Sequence, residues 1–236
     1  MTLSNVLLQI QATGAALADS TAQVAPEVAE MNYWEMAQKG GPWIMIPMLI
    51  MSFIAVYIFI ERWVTINKAS KEDTTFMDRI KDYIMEGKID SATNLCQQVN
   101  TPAARMIEKG ISRLGKPMND VLVAIENVGP LETNKLEKGF NMLATIAGGA
   151  PMLGFLGTVI GMVQAFYDMA NAGNNVDITV LSNGIYTAMI TTVAGLIVGI
   201  IAYFAYNLLV SKVDQVVQKM ESRTMEFMDL LNEPIK

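Results

Sequence analysis

The chain has 236 residues, of which 52% are hydrophobic, with no histidine, a single cysteine and a formal net charge of −6. Its mean hydropathy is +0.31, which is typical of membrane proteins rather than of soluble domains. The absence of histidine excludes histidine-based catalysis and histidine metal sites. The lone Cys96 has no cysteine in the chain with which to form a disulfide, and we expect it to be buried by packing.

Residues 1–41 are predicted to form a periplasmic segment that contains one interfacial helix. The stretch 32–39 mixes aromatic and charged side chains, and Tyr33 and Trp34 suit the headgroup level of a bilayer. The first 20 residues have no basic n-region, so a cleaved signal peptide is not expected.

Three apolar stretches are each long enough to cross a bilayer, since about 20 helical residues span its hydrocarbon core. The first has bulky side chains that suit contact with lipid, whereas the other two are rich in small and hydroxyl residues. The sequence therefore predicts an all-α membrane protein in which long second and third helices extend into a helical cytoplasmic domain. The predicted segments are membrane helices at 42–63, 139–170 and 182–211, a cytoplasmic domain at 64–138, a periplasmic loop at 171–181 and a cytoplasmic C-terminal helix at 212–236.

The positive charges predict the orientation in the membrane. Lys39 is the only one of the 17 Lys and Arg residues that lies outside 62–138 and 212–236. By the positive-inside rule these two regions are cytoplasmic, and the N-terminus and the 171–181 loop lie outside.

The sequence pattern of 64–138 predicts short amphipathic helices separated by Pro and Gly. Asp90 is predicted to cap one of them, and Thr101-Pro102 to open the next. Residues 132–139 are predicted to continue into the second membrane span as one helix.

Glycines and threonines recur at helical spacing in the second and third spans. The glycines predict close packing of the two helices. Each threonine taken alone is explained by a hydrogen bond to a carbonyl of its own helix, but together the threonines favour a helix pair that lines the central cavity of an oligomer, with the first span outside against lipid. The predicted packing residues are Gly154, Gly157, Gly161, Gly195 and Gly199, and the predicted pore-lining, proton-pathway residues are Thr158, Thr187, Thr191 and Thr192.

A proton relay needs a titratable group at membrane depth. The uncharged stretches 43–60, 139–167 and 178–211 contain no acid. If the protein conducts protons, the carboxylate must therefore come from another chain.

The motifs GAPMLGFLGTVIGM at 149–162 and ITTVAGLIVGI at 190–200 resemble the paired signature of the ExbB/TolQ/MotA family of proton-channel subunits. The first span with its preceding segment, at 34–62, is similar to that of ExbB-type members. Thr158 and Thr192 match the two pore threonines of the family, whereas Thr187 stands where ExbB-type members commonly carry a Glu.

The resemblance implies a homopentamer in the bacterial inner membrane whose second and third spans surround two copies of an ExbD-like single-span partner. It further implies that the proton motive force drives this motor, which energises a TonB-like protein for outer-membrane transport. At about 2.3 kcal/mol per charge per 100 mV, that force suffices to bias a conformational step.

Several alternatives stay open. Within the family, a TolQ-like or gliding-type stator subunit is the nearest. A transporter or channel that works alone and a passive membrane scaffold are further ones. The residues indicate no enzyme, cofactor, metal site or nucleic-acid partner, and the expected partners are other copies of the chain, the single-span protein, the TonB-like protein and membrane lipids.

Overall fold

The computed structural model describes residues 41–71, 75–171 and 178–232. The predicted interfacial helix at 32–39 and most of the predicted 171–181 loop lie outside these residues. The described chain is helical and contains no strand, which confirms the predicted all-α class. Its helices are α1 (Pro42–Ser70), α2 (Phe76–Met85), α3 (Ile89–Val99), α4 (Pro102–Ile111), α5 (Met118–Glu126), α6 (Gly129–Leu136), α7 (Phe140–Asn171) and α8 (Ile178–Asn232).

Three of these helices, α1, α7 and α8, are long and apolar enough to cross a membrane. Helix α8 has 55 residues and is therefore about 80 Å long, so it continues well beyond the apolar part that crosses the bilayer. This confirms that the third membrane helix extends onward.

Helix α1 buries only a narrow stripe. Its buried residues Met48, Ala55 and Arg62 follow one another at seven-residue intervals, and Ile66 lies one turn further on. The intervening bulky side chains, such as Phe53 and Tyr57, are mostly exposed. Helix α1 therefore contacts the rest of the described chain along one line and leaves most of its apolar surface uncovered.

The short helices α2, α4 and α6 pack against the part of α8 beyond its membrane-spanning stretch, and α3 and α5 pack against α4. Phe76, Ile107, Ile125 and Phe227 are fully buried and belong to one core cluster. Gly110 allows α4 to approach closely, because a Cβ atom there would lie 2.7 Å from both Ile125 Cδ1 and Phe227 Cε1.

Two local predictions for this region differ from the structure. Residues 132–139 do not continue into α7: α6 ends at Leu136, and Gly139 has φ +91°, a left-handed conformation that interrupts the helix. Asp90 is not the cap of α3, because the helix begins at Ile89 after an N-cap at Lys88. Asp90 instead lies in the first turn of α3, where its negative charge interacts favourably with the helix dipole. At Thr101 the prediction is confirmed, since its hydroxyl accepts a hydrogen bond from the Ala104 N–H and Pro102 starts α4.

Candidate functional site

Helices α7 and α8 pack antiparallel along a seam of small residues. A Cβ atom at Gly161 would lie 2.7 Å from the Ala188 Cβ, and one at Gly154 would lie 2.8 Å from the Thr191 carbonyl oxygen. Further along, a Cβ at Gly195 would lie 2.6 Å from the Ala150 carbonyl oxygen, and one at Gly199 2.5 Å from the Pro151 ring. The two backbones therefore approach so closely that side chains at these glycines would collide with the opposite helix.

Gly157 completes the seam, and its neighbour is Thr191. A Cβ atom at Gly157 would lie 2.7 Å from the Thr191 Cβ. Thr191 is 2% exposed, and its hydroxyl lies 2.7 Å from the Ala188 carbonyl oxygen and 3.2 Å from that of Gly154. A hydroxyl has one proton to donate, so the shorter contact within α8 takes it and Thr191 serves as a buried packing residue of the seam.

Thr192 joins the two helices directly. Its hydroxyl donates to the Gly154 carbonyl oxygen of α7 at 3.0 Å, and its side chain is half-buried. Helical residues five apart are separated by about 140° around the axis. Thr187 therefore lies on the other edge of α8 from Thr192, although both were predicted to line a pore.

Thr158 lies one helical turn beyond Gly154 on α7. The Gly154 carbonyl points toward this turn, so Thr158 and Thr192 lie on the same edge of the seam. The Thr158 hydroxyl donates to the Phe155 carbonyl oxygen at 2.6 Å, and the side chain is partly exposed. Both hydroxyl protons are thus held by backbone carbonyls, while the oxygen lone pairs can accept hydrogen bonds from water or from a protonated acid.

A second polar cluster, which the sequence did not reveal, lies in the region between the first and second spans. Glu132 is 2% exposed. Its two carboxylate oxygens accept hydrogen bonds from Arg105 Nε at 2.9 Å and from Lys135 Nζ at 2.7 Å. Burial raises the pKa of Glu132, but the hydrogen bonds from the two cations outweigh it, so the pKa lies below its usual value. Arg105 also donates to the backbone carbonyl of Asn100 at the end of α3. The spacing of 27 residues between Glu132 and Arg105 gives no sequence signal; only the Glu132–Lys135 pair has helical spacing.

Two hydrogen bonds, among other contacts, tie the C-terminal part of α1 to the rest of the described chain. The guanidinium of Arg62, itself mostly buried, donates to the Lys135 carbonyl oxygen in the last turn of α6 at 3.1 Å. The ammonium of Lys219 on α8 donates to the carbonyl oxygen of Ser70 at 3.1 Å, where α1 ends. Cations are favourable at helix C-termini because of the helix dipole. Helix α1 is therefore fixed to α6 and α8 by its C-terminal part.

The described residues contain no cluster of acidic or cysteine side chains that could hold a metal ion.

Comparisons with known proteins bear on this arrangement. Residues 98–222 match the family model described as the MotA/TolQ/ExbB proton channel family. The chain belongs to the MotA/TolQ/ExbB proton channel family. The matched segment includes the seam glycines, the four threonines and Glu132, so the family covers both polar clusters and confirms the resemblance predicted from the motifs.

Individual relatives within the family are ExbB-like and TolQ-like. The chain is 31% identical over 191 residues to a biopolymer transport protein ExbB homolog of Methanothermobacter thermautotrophicus, covering 79% of this chain and 66% of that protein. It is 28% identical to the Tol-Pal system protein TolQ of Haemophilus influenzae, over 86% of this chain and 95% of that one. It is 26% identical to the biopolymer transport protein ExbB of Neisseria meningitidis, over 76% and 87% respectively. The chain thus spans about two thirds of the first of these relatives and most of the other two.

The Thr158 and Thr192 hydroxyls lie at one edge of the helix pair, and neither hydroxyl ionises in the physiological pH range. They can donate and accept hydrogen bonds, but they cannot carry charge themselves.

Proposed function

We propose that this chain is an ExbB-like subunit of a motor in the inner membrane that is driven by the proton motive force. Several copies, five by analogy with the family, surround the membrane helices of an ExbD-like partner, two copies by the same analogy. The motor then energises a TonB-type protein for outer-membrane transport. The names of the ExbB relatives, which describe biopolymer transport, favour this reading.

One observation carries the proposal. The α7–α8 seam presents Thr158 and Thr192 at one edge, and the central parts of all three spans lack any acid, since Glu61 and Asp168 lie at the ends of their spans. A proton path along this edge needs a carboxylate from a second protein. A single membrane helix with one acid at mid-depth, placed in a cavity lined by α7 and α8, meets that need.

The proposed orientation follows the positive charges, with 62–138 and 212–236 in the cytoplasm and the N-terminus and 171–181 loop in the periplasm. A cysteine placed at the exposed Ser112 tests it. The orientation requires that a membrane-impermeant thiol reagent label Ser112→Cys in inverted vesicles and leave it unlabelled in intact spheroplasts. Labelling in spheroplasts alone would reverse the orientation.

The motor itself is tested by purification in a mild detergent after co-expression with single-span membrane proteins from the same genome. We expect one of them, with an intramembrane acid, to copurify, and single-particle imaging to give a ring with α1 outside. A monomer, or a ring without a partner helix and lined by α1, would contradict the proposal and favour a passive scaffold.

A TolQ-like role is the second candidate, because the match to the Haemophilus TolQ covers 95% of that protein. Deletion of the gene separates the two. Loss of a TonB-type uptake activity with an intact outer membrane supports the ExbB-like role, whereas a leaky outer membrane with normal uptake supports the TolQ-like one.

A further inference from the structure

The helices around the C-terminal part of α8, farthest from its membrane-spanning stretch, form two charged clefts of opposite sign. The first, which we call the basic cleft, has a volume of about 520 Å³ and lies between the C-terminal end of α4 and the outer side of α5. Its charged lining residues are Lys109, Arg113, Lys116 and Asp120. Leu131, 60% exposed, adds an apolar edge.

The second, the acidic cleft, has a volume of about 470 Å³ and lies between α2 and the last turns of α8. Its charged lining residues are Asp78, Lys81, Glu226 and Asp229. Met225, 66% exposed, adds an apolar edge to it as well. Three cations and one acid in one cleft therefore correspond to three acids and one cation in the other.

The two clefts lie at the same level along α8. Gly110, next to Lys109, packs against Phe227, which lies between Glu226 and Asp229 in the chain. They open in different directions, because residues two apart on a helix are separated by about 200°. Asp229 therefore points away from α4, which contacts the Phe227 side of α8.

Within the part of the chain that the structure describes, most of these charged side chains form no ion pair. None of the three cations of the basic cleft takes part in an ion pair, and neither do Asp78 and Asp229. Glu226 forms one with Arg223 on its own helix. The three cations of the basic cleft, of which Arg113 is half-buried, and the exposed Asp78 and Asp229 of the acidic cleft are thus available to another molecule.

We propose that the basic cleft of one copy docks against the acidic cleft of the next copy in the ring. Copies in a membrane oligomer are related by rotation about the membrane normal, and such a rotation keeps every residue at its depth and brings two different surfaces of the chain together. Two complementary surfaces at one level, opening in different directions, satisfy both conditions. The inference rests on the oligomer proposed above and names the surfaces through which its cytoplasmic parts meet.

The charges would select the register, and the exposed Met225 and Leu131 would supply apolar contact between copies. Charge pairs at a partly exposed interface contribute more to specificity and association rate than to affinity. The spans alone can hold the oligomer together, so its mass is a poor readout of this contact, and a cross-link is a direct one.

The experiment places one cysteine in each cleft, Lys116→Cys and Asp229→Cys, in the same chain. Cys96 can stay, because it is fully buried. Under mild oxidation in membranes, head-to-tail docking gives a ladder of disulfide-linked multimers up to the full ring. Either cysteine alone gives at most a dimer, and Lys88→Cys with Asp229→Cys serves as a matched pair in which the first cysteine lies outside both clefts.

Charge reversal then tests the recognition. In the ladder-forming chain, Arg113→Glu should lower the yield of multimers several-fold at low salt, and adding Asp78→Lys should restore most of it. A ring that is intact by imaging but gives no ladder, or a ladder that is indifferent to both reversals, would overturn this docking while leaving the motor in place. The absence of any ring in the unmodified protein would instead overturn the proposed function.

Discussion

The Thr192 hydroxyl lies 3.0 Å from the Gly154 carbonyl oxygen, and this hydrogen bond joins α8 to α7 across a seam where the backbones nearly touch. It exists because residue 154 is a glycine: a Cβ there would lie 3.1 Å from the Thr192 Cα. Thr192, which the family resemblance predicts to line a pore, thus also fixes the register of the two membrane helices.

Replacing Thr192 or Thr158 by Val keeps the side-chain shape and removes the hydroxyl. One hydrogen bond in a membrane helix pair contributes about 0.6 kcal/mol on average, so we expect the protein to fold and assemble. If the hydroxyls serve the proton path, each change abolishes motor-dependent uptake. Thr187→Val, on the other edge of α8, is the comparison and should cause a milder loss. Full uptake by the Thr158→Val/Thr192→Val double variant at normal protein level would leave both residues with a packing role alone.

A methyl group in the seam should destabilise it. In Gly154→Ala the new Cβ would collide with the α8 backbone. Overpacking of this kind typically lowers the free energy of unfolding by about 1–3 kcal/mol. Gly148→Ala is the matched control on the same helix, because no atom lies within 4 Å of a Cβ there, and Ala is about 1 kcal/mol better than Gly in a helix interior. Thermal unfolding in detergent should rank Gly154→Ala below the unmodified protein and Gly148→Ala equal to it or above. Equal unfolding midpoints for the two variants would show that α7 and α8 pack less closely at Gly154 than these distances indicate.

The buried carboxylate of Glu132 should make stability depend on pH. Its pKa is lower in the folded chain than its ordinary value, so its contribution is fully present above that ordinary value and is lost as the pH falls through the folded-state pKa. Glu132→Gln leaves Arg105 without its charge partner, and because Arg105 is one-third exposed and its charge stays partly solvated, we expect a cost of about 1–3 kcal/mol at neutral pH.

Unfolding midpoints measured between neutral and acidic pH check this. The difference between the unmodified protein and Glu132→Gln should shrink as the pH falls. Glu126→Gln removes an exposed acid from the preceding helix and should leave the curve almost unchanged. A constant difference across the pH range would mean that the carboxylate charge is not what matters at position 132.

Cys96 should not react in the folded protein. Burial raises the pKa of its thiol to about 12, and the nearby Glu108 adds to this effect. Since the thiolate is the reactive form, a maleimide at neutral pH should leave Cys96 unlabelled until a denaturant is added, whereas the exposed cysteine of Ser112→Cys should react at once. Rapid native labelling of Cys96 would indicate that the α3–α4 region opens.

The long-range features were predictable where they depend on composition over many residues. Three uncharged stretches predicted three spans, and small residues at helical spacing predicted which two helices approach closely. Single positions were predictable when the local chemistry was unambiguous, as at Thr101-Pro102, where a hydroxyl cap precedes a proline.

The failures have local physical causes. The pattern from 132 to 139 is compatible with a helix, whereas the chain leaves the helix after Leu136 and takes a positive φ at Gly139. Glu132 looks like any surface acid in the sequence, because its burial depends on Arg105 of another helix folding over it. The edge on which each threonine lies depends on which face of α8 contacts α7, and composition alone does not give this.

Helix α8 has one further consequence, for how the protein can change during evolution. Its buried stripe runs without interruption from the membrane to the far end, with Ala202, Leu209 and Val216 at seven-residue intervals and Val213, Met220 and Phe227 one turn away. Inserting one residue near Lys212 would turn everything beyond it by about 100° and lengthen it by about 1.5 Å. Insertions or deletions of seven residues shift the phase by only about 20°. Homologous α8 helices that differ in length beyond the membrane should therefore differ by about seven or eleven residues rather than by one or two.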